Sequence, residues 1–203
     1  GGAGYIGSHT AVELLNAGHD VVIADNYANS SSIVAQRITR ITGKPVKCYE
    51  ADAADPAALE RIFQENAIDS VIHFAGLKAV GESVRLPLDY YRNNLDSTLA
   101  LLAAMEAHGV RQLIFSSSAT VYGRHAALPY REDAETGPCT NPYGWTKLFI
   151  EQIIRDYAAA HPDFSVVLLR YFNPVGAHES GLMGEDPRDI PNNLMPYIAR
   201  VAL

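Results

Sequence analysis

A chain of 203 residues is long enough for one substantial hydrophobic core with a small appendage. Its 48% hydrophobic and 19% charged residues match a soluble globular protein and exclude a disordered or fibrous one. The formal charge of -7 argues against nucleic acid as the main partner, while local amides and cations can still hold a small anion.

Helix and strand signals then alternate. Gly1-Gly2-Ala3-Gly4-Tyr5-Ile6-Gly7 is a glycine turn, followed by helical apolar spacing from Ile6 to Leu15 and a stop at Gly18. His19–Ala24 reads as a buried strand ending at Asp25, Ser32–Ile41 as a helix closed by Gly43, and Val46–Tyr49 as a short strand. Asp55-Pro56 is a helix start, an Asx cap with proline in the first turn. Ser70–Phe74 is a strand, Asn94–His108 a helix, and Gln112–Ser116 another strand. Asn141-Pro142 opens a long helix to about Ala160, and Ser165–Arg170 is a further strand. After Phe172 the texture turns to Pro, Gly, Asn and acidic residues through Asn193, and the chain stops in a helical pattern at Leu203.

Near-continuous apolar strands separated by helices predict an α/β fold, a doubly wound and mostly parallel sheet of Rossmann type. The strand that ordinarily feeds the glycine turn is missing from the sequence, and that strand would lie centrally. The isolated chain is therefore expected to fold poorly and to lack turnover by itself. Residues 1–172 are read as the NAD-binding domain with the reactive groups, and 173–203 as the incomplete start of a smaller substrate-binding cap. No basic leader precedes the first motif and no apolar span approaches the ~18 residues of a membrane helix, so no membrane partner is expected. Cys48 and Cys139 match no metal or redox spacing and are read as structural or incidental thiols, which suits a reducing cytoplasm. The histidines form no metal spacing, and no metal site is expected.

Two glycine spacings coincide in the opening turn, Gly2-x-Gly4-x-x-Gly7 and Gly1-x-x-Gly4-x-x-Gly7. Small residues there let backbone N–H groups approach a pyrophosphate in front of a helix N-terminus. Asp25, at the end of the following strand, is placed to accept from an adenosine ribose and to repel a 2′-phosphate, which predicts NAD over NADP. Asp52 follows a strand too; on residues alone it is either an adenine contact or a turn former. Phe74-Ala75-Gly76 permits close passage of a cofactor, and Lys78 reads by itself as a solvated cation.

Tyr143 and Lys147 stand four apart on one helical face, where the ammonium is expected to favour phenolate and lower the tyrosine pKa. Ser118 lies at the carboxyl end of a strand, where open sheets bind ligands. Of the neighbouring serines, one of Ser116 and Ser117 is a candidate contact of cofactor or substrate, since all three cannot point at one alcohol. His73, inside an apolar strand, reads as a satisfied core residue.

These stretches resemble the extended short-chain dehydrogenase/reductase family, and within it the branch that inverts C4 of UDP-hexoses. The resemblance runs over Gly1–Ser8, Asp25-Asn26, His73–Val80, Tyr90–Asn94, Phe115–Gly123, Asn141–Lys147, Arg170–Gly176 and Gly181–Pro196. The late Gly-Glu-Asp-Pro and Ile-Pro-Asn-Asn-Leu segments are its most specific part. The resemblance implies cofactor contacts at Gly1, Gly4, Tyr5, Ile6, Gly7, Asp25, Asn26, Asp52, Phe74, Ala75, Gly76, Lys78, Asn93, Tyr143, Lys147 and Phe172. It implies Tyr143 as catalytic base, Lys147 as its activator and ribose anchor, and Ser118 as the substrate-hydroxyl partner. Asn173 and Asn193 are implied ligands of the nucleotide diphosphate sugar. It further implies one tightly held NAD, UDP-galactose and UDP-glucose as substrates, a transient 4-keto sugar with enzyme-bound NADH, and a homodimer.

The nearest competing chemistry is 4,6-dehydration of a nucleotide sugar, which needs an Asp-Glu pair where this chain has Ala119-Thr120. Epimerisation of UDP-pentoses, UDP-N-acetylhexosamines or UDP-uronates stays open. A non-enzymatic NAD-binding protein, or an inactive fragment, is the alternative of a different class.

Overall fold

Asp55-Pro56 and Asn141-Pro142 each open a helix in the computed structural model, which describes residues 1–187 and 193–202. The Asp55 side chain accepts from Ala57 N–H at 3.0 Å, and the Asn141 side chain from Gly144 N–H at 2.8 Å. In both cases the proline that follows occupies the first turn, where its missing N–H leaves nothing unpaired. Gly43 closes the second helix in a left-handed conformation (φ 70°) that only glycine adopts readily.

In chain order the elements are α1 (Tyr5–Asn16), β1 (Val22–Asp25), α2 (Ile33–Thr42), β2 (Lys47–Glu50), α3 (Pro56–Glu65), β3 (Val71–His73), α4 (Val80–Arg85) and α5 (Pro87–Ala107). Then come β4 (Gln112–Ser118), a 3₁₀ turn (Ala119–Tyr122), α6 (Pro142–Ala160), β5 (Ser165–Tyr171) and α7 (Leu194–Ala202). The order is that of an α/β protein with parallel strands, as the sequence predicts. Helix α5 begins at Pro87, seven residues before the predicted start at Asn94; Pro87 itself is the local signal, a first-turn proline. Ile190-Pro191-Asn192, within the most specific stretch of the family resemblance, and Leu203 lie outside the described residues.

The chain packs as two compact units. The first comprises Gly1–Ala53 with Asn173–Leu203. In it β1 and β2 pair in parallel, Val22 opposite Lys47 and Asp25 opposite Glu50. Ala11, Val12 and Leu15 of α1 and Ile38 of α2 bury against Ile23 of β1, and Met183 joins the same core. The start of the chain is tied to β1: the Gly1 amino group donates to Ala24 O at 2.6 Å and Ala3 N–H to Asp25 Oδ2 at 2.9 Å.

The second unit is Ala54–Phe172. Its parallel sheet runs β3–β4–β5, with His73 opposite Phe115 and Ser118 opposite Tyr171. Helices α3, α5 and α6 bury Leu59, Phe63, Leu101, Met105, Ile150 and Ile154 over Leu113 and Phe115 of β4. Each such side chain contributes about 1.5–3 kcal/mol through burial. This core fixes α6 against β4, the two elements that carry the reactive residues. The described strands thus bond as two parallel sheets, β1–β2 and β3–β4–β5.

Candidate active site

The glycine turn is sterically closed to side chains. Gly4 N–H donates to Gly1 O at 3.3 Å, and Ser8 N–H to Gly4 O at 2.8 Å. A Cβ on Gly7 would lie 2.5 Å from Gly1 O and 2.7 Å from Gly2 Cα, and one on Gly2 would lie 3.0 Å from the Ile23 side chain. The chain therefore passes directly from the turn into α1, whose first N–H groups have no partner within the helix. Such a cradle fits a dinucleotide pyrophosphate. The Tyr5 hydroxyl donates to Gly176 O at 2.7 Å, and its ring meets His9 edge-on.

Asp25 is buried (6% exposed). Its Oδ2 accepts from Ala3 N–H, and its Oδ1 accepts from Tyr27 N–H at 2.9 Å and Ser30 Oγ at 2.8 Å. Burial pushes its pKa up, and the hydrogen bonds from the Ser30 hydroxyl and from the Tyr27 and Ala3 amides oppose it. Beyond the predicted ribose contact, Asp25 thus holds the glycine turn against β1. Asn26 donates to Asp52 Oδ2 at 3.2 Å, which brings two more predicted cofactor residues together. In the same unit Asn173 is exposed, and Asn193 donates to Glu185 Oε1 at 2.5 Å.

The second unit assembles the reactive set. Lys147 follows Tyr143 by one turn of α6, and β4 delivers Ser118 beside them. The Ser118 oxygen accepts from Thr120 N–H at 3.2 Å and from the Thr120 hydroxyl at 3.0 Å, and Ser118 lies close enough to the Tyr143 phenol to lower its pKa. Thr120, where a dehydratase would place an acid, is thus occupied in orienting the serine.

One electrostatic expectation is corrected. Burial raises the Tyr143 pKa, and the nearby Ser118 hydroxyl only partly opposes it. Lys147 does not point its charge at the phenol oxygen: Nζ donates to Ser116 O at 2.7 Å, lies 4.8 Å from the Phe115 ring centre and 5.9 Å from that of Tyr143. Helical spacing puts the two residues on one face, yet the amine reaches sideways to the strand. Burial pushes the Lys147 pKa down to about 8, so it carries its charge at neutral pH.

Phe74-Ala75-Gly76 follows β3, and Gly76 adopts φ 152°; a side chain on Gly76 would press on Asn94 Oδ1 at 3.1 Å. Lys78 is framed on both sides. The carboxamide of Asn94 accepts from Leu77 N–H at 2.8 Å and donates to Leu77 O at 3.0 Å, while Ala79 N–H donates to the Tyr90 hydroxyl at 3.0 Å. Asn93 donates to Asn94 Oδ1 at 3.0 Å. Asn94 also donates to Thr146 Oγ1 at 3.0 Å, and Thr146 donates to Tyr143 O at 2.7 Å. Asn94 therefore joins the Lys78 loop to the helix turn bearing Tyr143, a role the sequence reading missed; its signal is an amide residue on the buried face of α5. His73 is a core residue as predicted, 3.1 Å from Thr98 Oγ1 and pushed by burial and the Lys147 charge down to about 3, hence neutral.

Ser117 turns away from the reactive set and donates to Glu151, which is fully buried and paired with Arg155 and Arg170 at 2.9 Å each. Removing one partner of such a pair strands a charge in the core at a cost of roughly 3–5 kcal/mol. Phe172 is 65% exposed and continues a stack from Tyr122 through Tyr130.

A parallel α/β fold with a serine at a strand end beside Tyr-x-x-x-Lys on a helix defines a protein of the short-chain dehydrogenase/reductase class. The model of the NAD dependent epimerase/dehydratase family matches residues 1–203, and the chain belongs to that family. It is 61% identical over 203 residues to the UDP-glucose 4-epimerase of Haemophilus influenzae and 60% identical to that of Bacillus subtilis. Both matches cover all of this chain and 60% of the relative, so the chain spans about 60% of the length of these curated relatives. Among solved structures it resembles the UDP-glucose 4-epimerase of Bifidobacterium longum in complex with NAD+ and UDP. That match has a TM-score of 0.97 and 62% identity, and covers 99% of this chain and 60% of the other.

Proposed function

We propose that the whole protein interconverts UDP-galactose and UDP-glucose by epimerisation at C4, using one bound NAD. The observation that carries this reading is Ser118 at the end of β4 beside Tyr143, with Lys147 one helical turn away, in a chain 61% identical to a UDP-glucose 4-epimerase. In this reading Gly1, Gly4, Tyr5, Ile6 and Gly7 receive the pyrophosphate. Asp25 and Asn26 take the adenosine ribose, where the ionised carboxylate selects against a 2′-phosphate, and Asp52 takes the adenine. Phe74, Ala75, Gly76, Lys78, Asn93 and Phe172 complete the cofactor contacts, and Asn173 and Asn193 hold the sugar nucleotide. Residues 1–172 serve as the NAD-binding part and 173–203 begin the sugar-binding part.

When bound, NAD supplies a reversible two-electron acceptor for the sugar carbon. The chain's own residues manage the proton. Tyr143 takes it from the C4 hydroxyl as phenolate, Ser118 orients that hydroxyl, and Lys147 anchors the nicotinamide ribose. The 4-keto sugar then turns, and Tyr143 returns the proton with the configuration inverted. Ala119 has no proton to transfer and Thr120 is a poor acid already bonded to Ser118, which weighs against dehydration. The test is to supply the product of the complete gene with UDP-galactose and no added oxidant. UDP-glucose is the expected product; a 4-keto-6-deoxy sugar would instead establish the dehydratase. UDP-pentose, UDP-N-acetylhexosamine and UDP-uronate in the same assay define the sugar range.

We propose a homodimer as well, formed through α5 and α6. Leu88 and Leu99 of α5 are 70% and 50% exposed, and Phe149 of α6 is 42% exposed. Phe149 also contacts the rings of Tyr91 at 6.1 Å and Trp145 at 5.4 Å. Leu88, Tyr91, Leu95 and Leu99 recur at helical spacing on one face. Sedimentation equilibrium is expected to give a dimer, weakened by roughly 30-fold in Phe149→Glu, about 2 kcal/mol. A cytoplasmic location goes with this reading, supported by the free thiols Cys48 and Cys139. No helix of the described residues is long and apolar enough to cross a membrane.

A further inference from the structure

Glu151 lies one turn beyond Lys147 on α6 and is 0% exposed. Its carboxylate accepts four hydrogen bonds: Ser117 Oγ at 2.5 Å and Arg170 Nε at 3.0 Å on Oε1, and Arg170 Nη2 and Arg155 Nη2 at 2.9 Å on Oε2. A carboxylate has about four acceptor positions, so this one is saturated within the protein. The arrangement joins three elements where each approaches the reactive residues. Ser117 immediately precedes Ser118 on β4, Glu151 extends the polar stripe of Tyr143 and Lys147 on α6, and Arg170 lies two residues before Phe172 at the end of β5. Arg170 also lies 4.8 Å over the Tyr122 ring and donates to Glu132 O at 3.2 Å, which ties down the segment after Ser118.

Successive turns of α6 thus grip successive residues of β4. Lys147 bonds the Ser116 carbonyl and Glu151 bonds the Ser117 hydroxyl. The next residue is Ser118, at the end of β4 and near enough to Tyr143 of the same helix to lower its pKa. We propose that Ser117, Glu151 and Arg170 form a positioning clamp that sets the distance between β4 and α6, and so places the Ser118 hydroxyl against Tyr143 for proton transfer. None of the three touches substrate in this scheme; they act through Ser118. The proposal rests on the C4-epimerase reading.

Ser117→Ala tests it most cleanly, because it cuts the strand-to-helix tie and leaves both arginine pairs on Glu151. In the product of the complete gene, kcat for UDP-galactose is expected to fall about tenfold, while KM, NAD content and thermal midpoint stay near wild type. Ser117→Thr keeps the hydroxyl and is expected to restore kcat to within about twofold. An unchanged kcat in Ser117→Ala overturns the clamp, as does a loss that only tracks lost NAD or folded protein, or one that threonine does not rescue. Wild-type protein that leaves UDP-galactose untouched defeats the epimerase reading instead. Crystal structures of wild type and Ser117→Ala then decide the clamp: an unchanged Ser118 Oγ to Tyr143 Oη distance refutes it, and a lengthened one supports it.

Discussion

Replacing Tyr143 with phenylalanine is expected to lower kcat on UDP-galactose by about 10³-fold while NAD stays bound, since positioned proton transfer contributes 10²–10⁴-fold. The substitution removes one oxygen and preserves the partly buried ring in the first turn of α6. Fold and cofactor content, followed by circular dichroism and nicotinamide absorbance, should therefore match wild type. The pH dependence carries its own sign. Burial holds the phenol above its ordinary pKa, so the phenolate is the minor form at neutral pH. Wild-type kcat/KM should rise with pH as that phenol ionises, and the variant's residual rate should lack this rise. Near-wild-type turnover in Tyr143→Phe would remove the phenol from the reaction and leave the serine without a purpose at that position.

Much of this site was legible from local patterns, and the misses have a common cause. Asp55-Pro56 and Asn141-Pro142 announced their helices because a cap and a first-turn proline act within three residues, and both starts are found where the dipeptides stand. Tyr143, Lys147 and Ser118 were legible as a set because helix spacing and a strand end fix their faces. What the spacing left open was where a long side chain goes once there: Lys147 takes a carbonyl on β4, 31 residues back in the chain. The same holds for Asn94, whose partners are 17 and 52 residues away, and for the Glu151–Arg170 pair across 19. Such bonds come from the packing of α5, α6 and β4, and no local rule encodes them. A weaker trace was present all the same. Tyr143, Lys147, Glu151 and Arg155 recur every four residues on the helix that also carries Ile150 and Ile154. A charged stripe beside apolar core positions signals ionic groups turned inward, and reading it would have pointed to a buried counter-charge.

Lys147→Met is expected to make the protein more stable and much less active. Lys147 is 5% exposed, and burial lowers its pKa from the ordinary 10.5 to about 8. At pH 7 both folded and unfolded chains hold the proton, so the full desolvation penalty, about 3 kcal/mol for a shift of this size, weighs on the folded state. Methionine keeps the unbranched stem without the charge. It forfeits the hydrogen bond to Ser116 O, worth about 1 kcal/mol, for a net gain of roughly 1–2 kcal/mol. Turnover should fall at least ~100-fold, because the amine that anchors the nicotinamide ribose in the proposed reaction is gone. The linkage has a definite sign. Between pH 8 and 10.5 the unfolded wild-type chain binds more protons than the folded one, so wild-type stability rises with pH across that window. The advantage of methionine should shrink over the same interval and then disappear. Denaturant unfolding of NAD-free wild type and variant at pH 7 and at pH 10 measures this directly. A variant less stable than wild type at pH 7 would mean that the ammonium is already compensated where it lies, and that its charge is held there at no expense to the fold.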